Sequence, residues 1–152
     1  MLIRPAAGSD AAGVTAVQLR SRAAAPMPAG IHSEAEVRAF LTGRIETDEV
    51  WIAEVAGEVV GYVRWTPTWL DDLYVLPEHA GQGVGTALLD LVKAQHPDGF
   101  GLWVFEMNTP ARAFYARHGL VEVEHTDGSD NEEQAPDVRM SWRPAEVVGE
   151  PR

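Results

Sequence analysis

Between Val50 and Leu76 the chain carries three runs of period-two, β-branched and aromatic character, with only short connections between them. They are VWIAEV (50–55), VVGYVRW (59–65) and LDDLYVL (70–76). Ala56-Gly57-Glu58 reads as the turn of a hairpin between the first two. Strands joined this closely pair antiparallel, because a parallel partner needs a crossover of a dozen residues or more. The chain is therefore not built on the strict strand–helix alternation of a doubly wound parallel sheet.

The remaining elements fall on either side of this meander. Met1–Pro5 forms a short first strand. Ala11 to Ala24 reads as a helix capped by Ser9 or Asp10, with Ala12, Ala16, Leu19 and Ala23 on one side. APMPAG (25–30) is a loop by its prolines and glycine. Ser33 to Glu36 is a capping box opening a second helix, with Val37, Phe40, Leu41 and Ile45 at helical spacing. A third helix is marked by Val84, Ala87, Leu88, Leu91 and Val92. FGLWVFEM (100–107) is a strand, and Pro110 to His118 a short helix. Leu120–Glu124 and Asp137–Arg143 form two antiparallel strands joined by the polar loop HTDGSDNEEQAPD. The order is β-α-α-β-β-β-α-β-α-β-β, and only the segment from 70 to 107 reads as a parallel crossover. Residues 1–145 are expected to form one domain and 146–152 a short flexible tail.

Composition excludes several functions. With 152 residues, 45% hydrophobic and 23% charged, the chain is an ordinary globule with room for a core. It has no run of 18 apolar residues and no basic-then-apolar leader, which speaks against a membrane span or signal peptide. The absence of Cys excludes a disulfide framework, a Cys-ligated zinc and a Cys nucleophile, and is compatible with the cytoplasm. A net charge of −11 argues against a nucleic-acid partner and steers mildly toward cationic substrates. Nothing in the sequence indicates a metal.

The stretch PEHAGQGVGTALLDL, Pro77 to Leu91, places Gly81, Gly83 and Gly85 before a helix. Glycines let the backbone approach a bulky ligand, and a helix start offers unpaired N–H groups and a positive dipole end. Together they make an anion site, most often for phosphate. A dinucleotide fingerprint is one reading, since Gly81-x-Gly83 follows a strand and Glu106 ends the next. Against it, the third glycine position is Thr86, and Pro77 to Ala80 intervene before the first. A Rossmann-like nucleotide-binding module is therefore the alternative, not the lead. A phosphate-binding P-loop is excluded because no Gly-Lys-Ser/Thr follows.

The second constellation is NTPARAFYARHGL, Asn108 to Leu120. Thr109 is positioned to cap a helix with Pro110 at its first position and Gly119 beyond its end. With this segment, the chain resembles the GCN5-related N-acetyltransferases (GNAT). LYVLPEHAGQGVGTALL is similar to their acyl-CoA pyrophosphate loop, and NTPARAFYARHGL to their last helix. The element order agrees over about residues 1 to 143. The resemblance implies an α+β fold: a central, mostly antiparallel sheet of six to seven strands, with a splayed parallel pair and about four flanking helices. It departs at Ala80, where the family usually has Arg or Gln.

The resemblance also implies roles. Tyr115 would be the general acid for the leaving thiolate. Asn108 would hydrogen-bond the cofactor arm, and Leu73, Tyr74 and Val75 would contact pantetheine through their backbone, one N–H polarising the thioester carbonyl. Gly81, Gln82, Gly83, Val84, Gly85 and Thr86 would take the pyrophosphate. The co-substrate would be acetyl-CoA. The acceptor would be the primary amine of a small molecule, and the negative charge favours a cationic one. An alkylammonium near pKa ~10.4 is protonated at neutral pH, so a base or a water chain must take its proton. Asp71 and Asp72 point to opposite strand faces, so one of them faces the acceptor. WLDDLYV resembles the corresponding strand of diamine acetyltransferases, where the first acidic residue lies near the amine, which favours Asp71. Glu78 and His79 read as surface loop residues. His125 and the acidic run Asp127–Glu133 either line the acceptor mouth or are solvated. Trp65 and Trp69 either shape the acceptor pocket or pack in a core or dimer contact, and a homodimer is compatible with the sequence. A non-catalytic acyl-CoA sensor is a further alternative.

Overall fold

The computed structural model describes residues 1–145. Its strands are β1 (Leu2–Pro5), β2 (Glu49–Val55), β3 (Glu58–Trp65), β4 (Leu70–Val75), β5 (Phe100–Phe105), β6 (Val121–Thr126) and β7 (Asp137–Trp142). The helices are α1 (Ala11–Ala24), α2 (Glu34–Thr47), α3 (Val84–Gln95) and α4 (Thr109–Arg117). The order is the one read from periodicity. The tail expected at 146–152 lies outside the described residues.

Two antiparallel sheets, β1-β2-β3-β4 and β5-β7-β6, meet along the parallel neighbours β4 and β5. These two touch at a single bridge, Trp69 to Gly101, at their N-terminal ends. Beyond it they part, leaving strand edges open between the sheets. The close approach explains the glycine: a Cβ on Gly101 would lie 2.8 Å from the Trp69 ring. Trp69 is itself held by a stack on Trp103, with centroids 6.5 Å apart. Gly101→Ala is expected to destabilise the fold by about 1–3 kcal/mol, the usual cost of overpacking, read as a lowered urea midpoint.

The core is made by Val14 and Val17 of α1, Leu41 of α2, Ile52, Val60, Tyr62 and Val63 of the first sheet, and Val84, Leu88, Leu89 and Val92 of α3. Leu102, Val104, Val138 and Met140 continue it into the second sheet. Gly61 of β3 admits α3 closely, since a Cβ there would meet Val84 and Leu88 at 3.1 and 3.3 Å.

Three local expectations are corrected. The inward face of α1 is Ala11, Val14, Thr15, Val17 and Ser21, whereas Ala12, Ala16 and Ala23 are exposed. Two inward residues are polar, which hid this face from an apolar pattern. The Thr15 hydroxyl donates to Ala11 O (2.7 Å) and the Ser21 hydroxyl to Val75 O (2.8 Å), so neither is buried unsatisfied. Asp10 precedes α1 but does not cap it with its side chain. Its carboxylate instead accepts from Arg4 at 2.8 and 3.0 Å and from Ala7 N–H at 2.8 Å, a charge-assisted set that wins over a cap. The cap of α4 is Asn108, not Thr109: Asn108 Oδ1 accepts from Ala111 N–H at 3.3 Å. The Ser33 capping box forms as expected, with bonds of 3.1 and 3.2 Å.

Candidate active site

The opening between β4 and β5 becomes two clefts that share a wall of Leu73, Ala111 and Tyr115. One, of about 540 Å³, lies over the glycine loop and the start of α3. Gly81 and Gly83 adopt φ of +74° and +84°, a left-handed geometry that favours glycine. Gly83 caps α3 without a side chain, and the first helical bond to its carbonyl comes from Ala87. The N–H groups of Val84, Gly85 and Thr86 thus have no intrahelical partner. Gly81, Gly83, Gly85 and Thr86 line the cleft. Gln82 and Val84 do not. Gln82 folds back, its Oε1 accepting from His79 Nδ1 at 3.1 Å, and the Val84 side chain is buried in the core. What these two offer is backbone.

Ala80 lines this cleft, and so do His79, Arg117 and His118. The Arg117 guanidinium and the histidine N–H groups suit an anion. Arg117 and His118 stand in the YARHG segment that carries Tyr115, so a basic residue just after the tyrosine was a readable signal. His118 Nε2 lies 3.3 Å from Thr86 Oγ1, and the Lys93 ammonium donates to His118 O at 2.6 Å, which fixes the end of α4 against α3.

The other cleft, of about 610 Å³, opens between β4, β5 and the β6–β7 connection. It is lined by Asp71, Glu124, Asp130, Glu133 and Asp137, by Trp103, Tyr74 and Phe105, and by Met27 from the α1–α2 connection, with no Lys, Arg or His. The acidic loop thus reaches the cleft through Asp130, Asn131 and Glu133, whereas His125 is exposed beside Glu122 (3.4 Å) and does not line it. Two carboxylates are partly neutralised from behind: Glu124 by Arg139 (3.0 Å) and Glu133 by Arg22 (3.7 Å). Trp65 is not a cleft residue. It is buried, stacked on Trp51 with centroids 6.2 Å apart. Trp69 acts indirectly, backing the half-exposed Trp103, which the sequence reading did not single out.

The two aspartates separate at a break in the β3–β4 register. Trp65 pairs with Leu70 and Arg64 with Asp72, so Asp71 is the extra residue of a bulge, a device that re-aims a side chain. It faces the acidic cleft and accepts from the Thr66 hydroxyl at 3.0 Å. Partial burial raises its pKa above the ordinary value, opposed by the Arg64 charge and the Thr66 hydrogen bond. Asp72 turns the other way and is held by Tyr62 OH (3.1 Å) and Arg64 Nε (3.0 Å), while Arg64 also binds Asp48 (2.9 Å).

Along β4, Leu76 N–H donates to Val60 O at 2.8 Å. By antiparallel alternation Tyr74 then directs its amide toward β3, and Leu73 and Val75 direct theirs into the opening. Tyr74 therefore meets the cleft through its ring, not its backbone. Burial and the nearby Asp72 push its pKa up to about 12. Asn108 lines the acidic cleft, and its Oδ1 is committed to the cap. Tyr115 is 91% buried, its relative exposure being 9%. No hydrogen bond among the described residues involves its hydroxyl, and it lines both clefts. Burial, followed by the nearby Tyr74 and Asp72, pushes its pKa far above the ordinary value, so it stays protonated at any pH of interest.

A mixed α/β chain with splayed strands, a glycine-lined cleft at a helix start and a buried tyrosine where that cleft meets a second one fits the acyltransferase class. The sequence profile of the acetyltransferase (GNAT) domain matches residues 46–122. An uncharacterized N-acetyltransferase of Archaeoglobus fulgidus is 33% identical over 102 residues, covering 57% of this chain and 69% of that protein. The peptidyl-lysine N-acetyltransferase YiaC of Escherichia coli is 32% identical over 93 residues, covering 60% of this chain and 62% of that protein. The PaiA N-acetyltransferase of Thermoplasma acidophilum, solved in complex with coenzyme A, shares the fold. Its TM-score is 0.74 at 22% identity, over 94% of this chain and 98% of that one. The chain belongs to the GCN5-related N-acetyltransferase family. That membership and the antiparallel meander displace the Rossmann-like alternative. No helix among the described residues is long and apolar enough to cross a membrane.

Proposed function

We propose that this chain transfers the acetyl group of acetyl-CoA to the primary amine of a small, positively charged molecule by direct attack. The observation that carries the reading is the convergence on Tyr115: a cation- and amide-lined cleft on one side, a carboxylate-lined cleft on the other. The first suits the pyrophosphate and pantetheine of acetyl-CoA, with Gly81 to Thr86 at the phosphates and the free amides of Leu73 and Val75 along the arm. The Asn108 side-chain NH₂, free once Oδ1 caps α4, would also reach the arm.

In the reaction the amine nitrogen attacks the thioester carbon, and the carbonyl oxygen takes up charge facing a β4 amide. The C–S bond breaks as the Tyr115 O–H gives its proton to the thiolate. The ammonium first gives one proton to Asp71, directly or through water and on to solvent, and the second proton, lost from nitrogen after attack, returns through water to Tyr115 in place of the one given to sulfur. An acidic, aromatic cleft stabilises the ammonium form on arrival, through carboxylates and the face of Trp103. The lack of Cys accords with a cytoplasmic setting.

Acetyl-CoA is expected to raise the melting temperature and to slow hydrogen exchange at Gln82–Thr86, since a ligand that binds only the native state stabilises it. NAD should do neither, and a shift with NAD alone would refute the reading. Free-thiol release on adding a panel of amines, lysine peptides included, tests catalysis. Binding of acetyl-CoA without thiol release from any amine would make the chain a sensor.

A further inference from the structure

His96 is almost fully buried, at 4% exposure, immediately after α3. Its Nδ1 lies 2.7 Å from Val92 O and its Nε2 2.9 Å from Thr66 O. Carbonyl oxygens only accept, so both bonds are filled only when both ring nitrogens carry hydrogen. The ring sits at the C-terminal end of α3. It lies between the aromatic rings of Trp65 and Phe100, at centroid distances of 6.1 and 5.3 Å. Of the charged groups on surrounding elements, Lys93 is turned to His118 O. Asp90 and Asp98 make no hydrogen bond or ion pair among the described residues, and Asp71 is reached only through Thr66.

Thr66 is the pivot of the β3–β4 turn. Its N–H donates to Trp69 O (2.9 Å), and its hydroxyl donates to Asp71 Oδ2 (3.0 Å). Two residues on, Thr68 O accepts from Gly101 N–H (3.0 Å), beside the bridge where the two sheets meet. We infer that His96 is a positioning residue for the active site: by gripping the Thr66 carbonyl it holds the turn that sets the Thr66 hydroxyl against the Asp71 carboxylate. Within the turn the same carbonyl also accepts from Trp69 N–H, at a longer 3.4 Å, so His96 supplies the shorter bond to it and ties the turn to the end of α3. The inference rests on the reading of Asp71 as proton acceptor, and its test reads Asp71 without needing turnover.

The experiment follows the Asp71 side-chain carboxyl by carbon NMR titration in the free, full-length protein. Thr66→Val removes a hydrogen bond to the ionised form and is expected to move the Asp71 midpoint upward. His96→Gln is expected to move it in the same direction by a comparable amount. The double variant should move it no further, since the two act through one contact. Thr66→Ser should restore the wild-type midpoint. An Asp71 midpoint unchanged in His96→Gln, with only the melting temperature lowered, would overturn the proposal. If His96→Gln does not fold, nitrogen NMR of the wild-type ring decides. A proton on Nε2, hydrogen-bonded to the Thr66 carbonyl, is expected, and an Nε2 without hydrogen would overturn the proposal. Unaltered kinetics in Asp71→Asn would instead sink the catalytic reading, leaving the titration result to stand by itself.

Discussion

Tyr115→Phe is expected to lower kcat roughly 10²-fold or more while acetyl-CoA affinity stays within a few-fold. That is the scale of a lost general acid, about 2.7 kcal/mol of barrier. The substitution deletes one oxygen from a residue whose hydroxyl has no protein partner among the described residues, so folding should be little affected. Stopped-flow or steady-state thiol release with the best acceptor provides the rate, and calorimetry with acetyl-CoA the affinity. Because burial holds the phenol protonated, wild-type activity should not decline on the alkaline side near the ordinary tyrosine value of ~10. Unchanged turnover in the variant, with chemistry shown to limit the wild-type rate, would remove Tyr115 from the mechanism.

Asp71→Asn should cost about 10²-fold in kcat/KM at neutral pH, within the range for a lost base, and recover part of that loss as pH rises. At high pH the amine is already neutral and needs no acceptor for its proton. The same substitution is expected to raise stability at neutral pH. The native state raises the Asp71 pKa, so between the unfolded and native values the native chain binds more protons, and stability falls as pH rises through that window. Asparagine avoids this penalty. Its stabilising effect should therefore be present at neutral pH and vanish below the ordinary carboxylate range. Asp72→Asn should do the opposite: little change in the pH profile and a lower melting temperature, because Tyr62 and Arg64 lose their partner. Equal small kinetic effects at both positions would leave water or a carboxylate of the β6–β7 loop as acceptor.

The period-two runs from 50 to 76 and the glycine-to-helix stretch at 81–92 were legible because their signals are local. Alternation, turn residues and unpaired helix amides depend on neighbours within a few positions. Tyr115 was legible by the likeness of its surrounding motif. The inward face of α1 was not, because Thr15 and Ser21 are turned inward by hydrogen bonds that no hydropathy pattern records. Nor was the Asn108 cap, since Asn and Thr compete for adjacent positions and the turn geometry decides.

From its sequence alone this chain determined its element order, the antiparallel meander and the glycine loop that opens α3 with unpaired amides. Tertiary structure decided which groups share a space. The bulge at Asp71 arises from pairing between β3 and β4, and it sends one of two adjacent aspartates into the cleft. The acidic cleft itself gathers residues from β4, β5, α4, β6, β7 and the connections between elements, separated by as many as 110 positions between Met27 and Asp137. Such convergence comes from burying a common core between two sheets, and that balance of long-range contacts has no counterpart in any local stretch of chain.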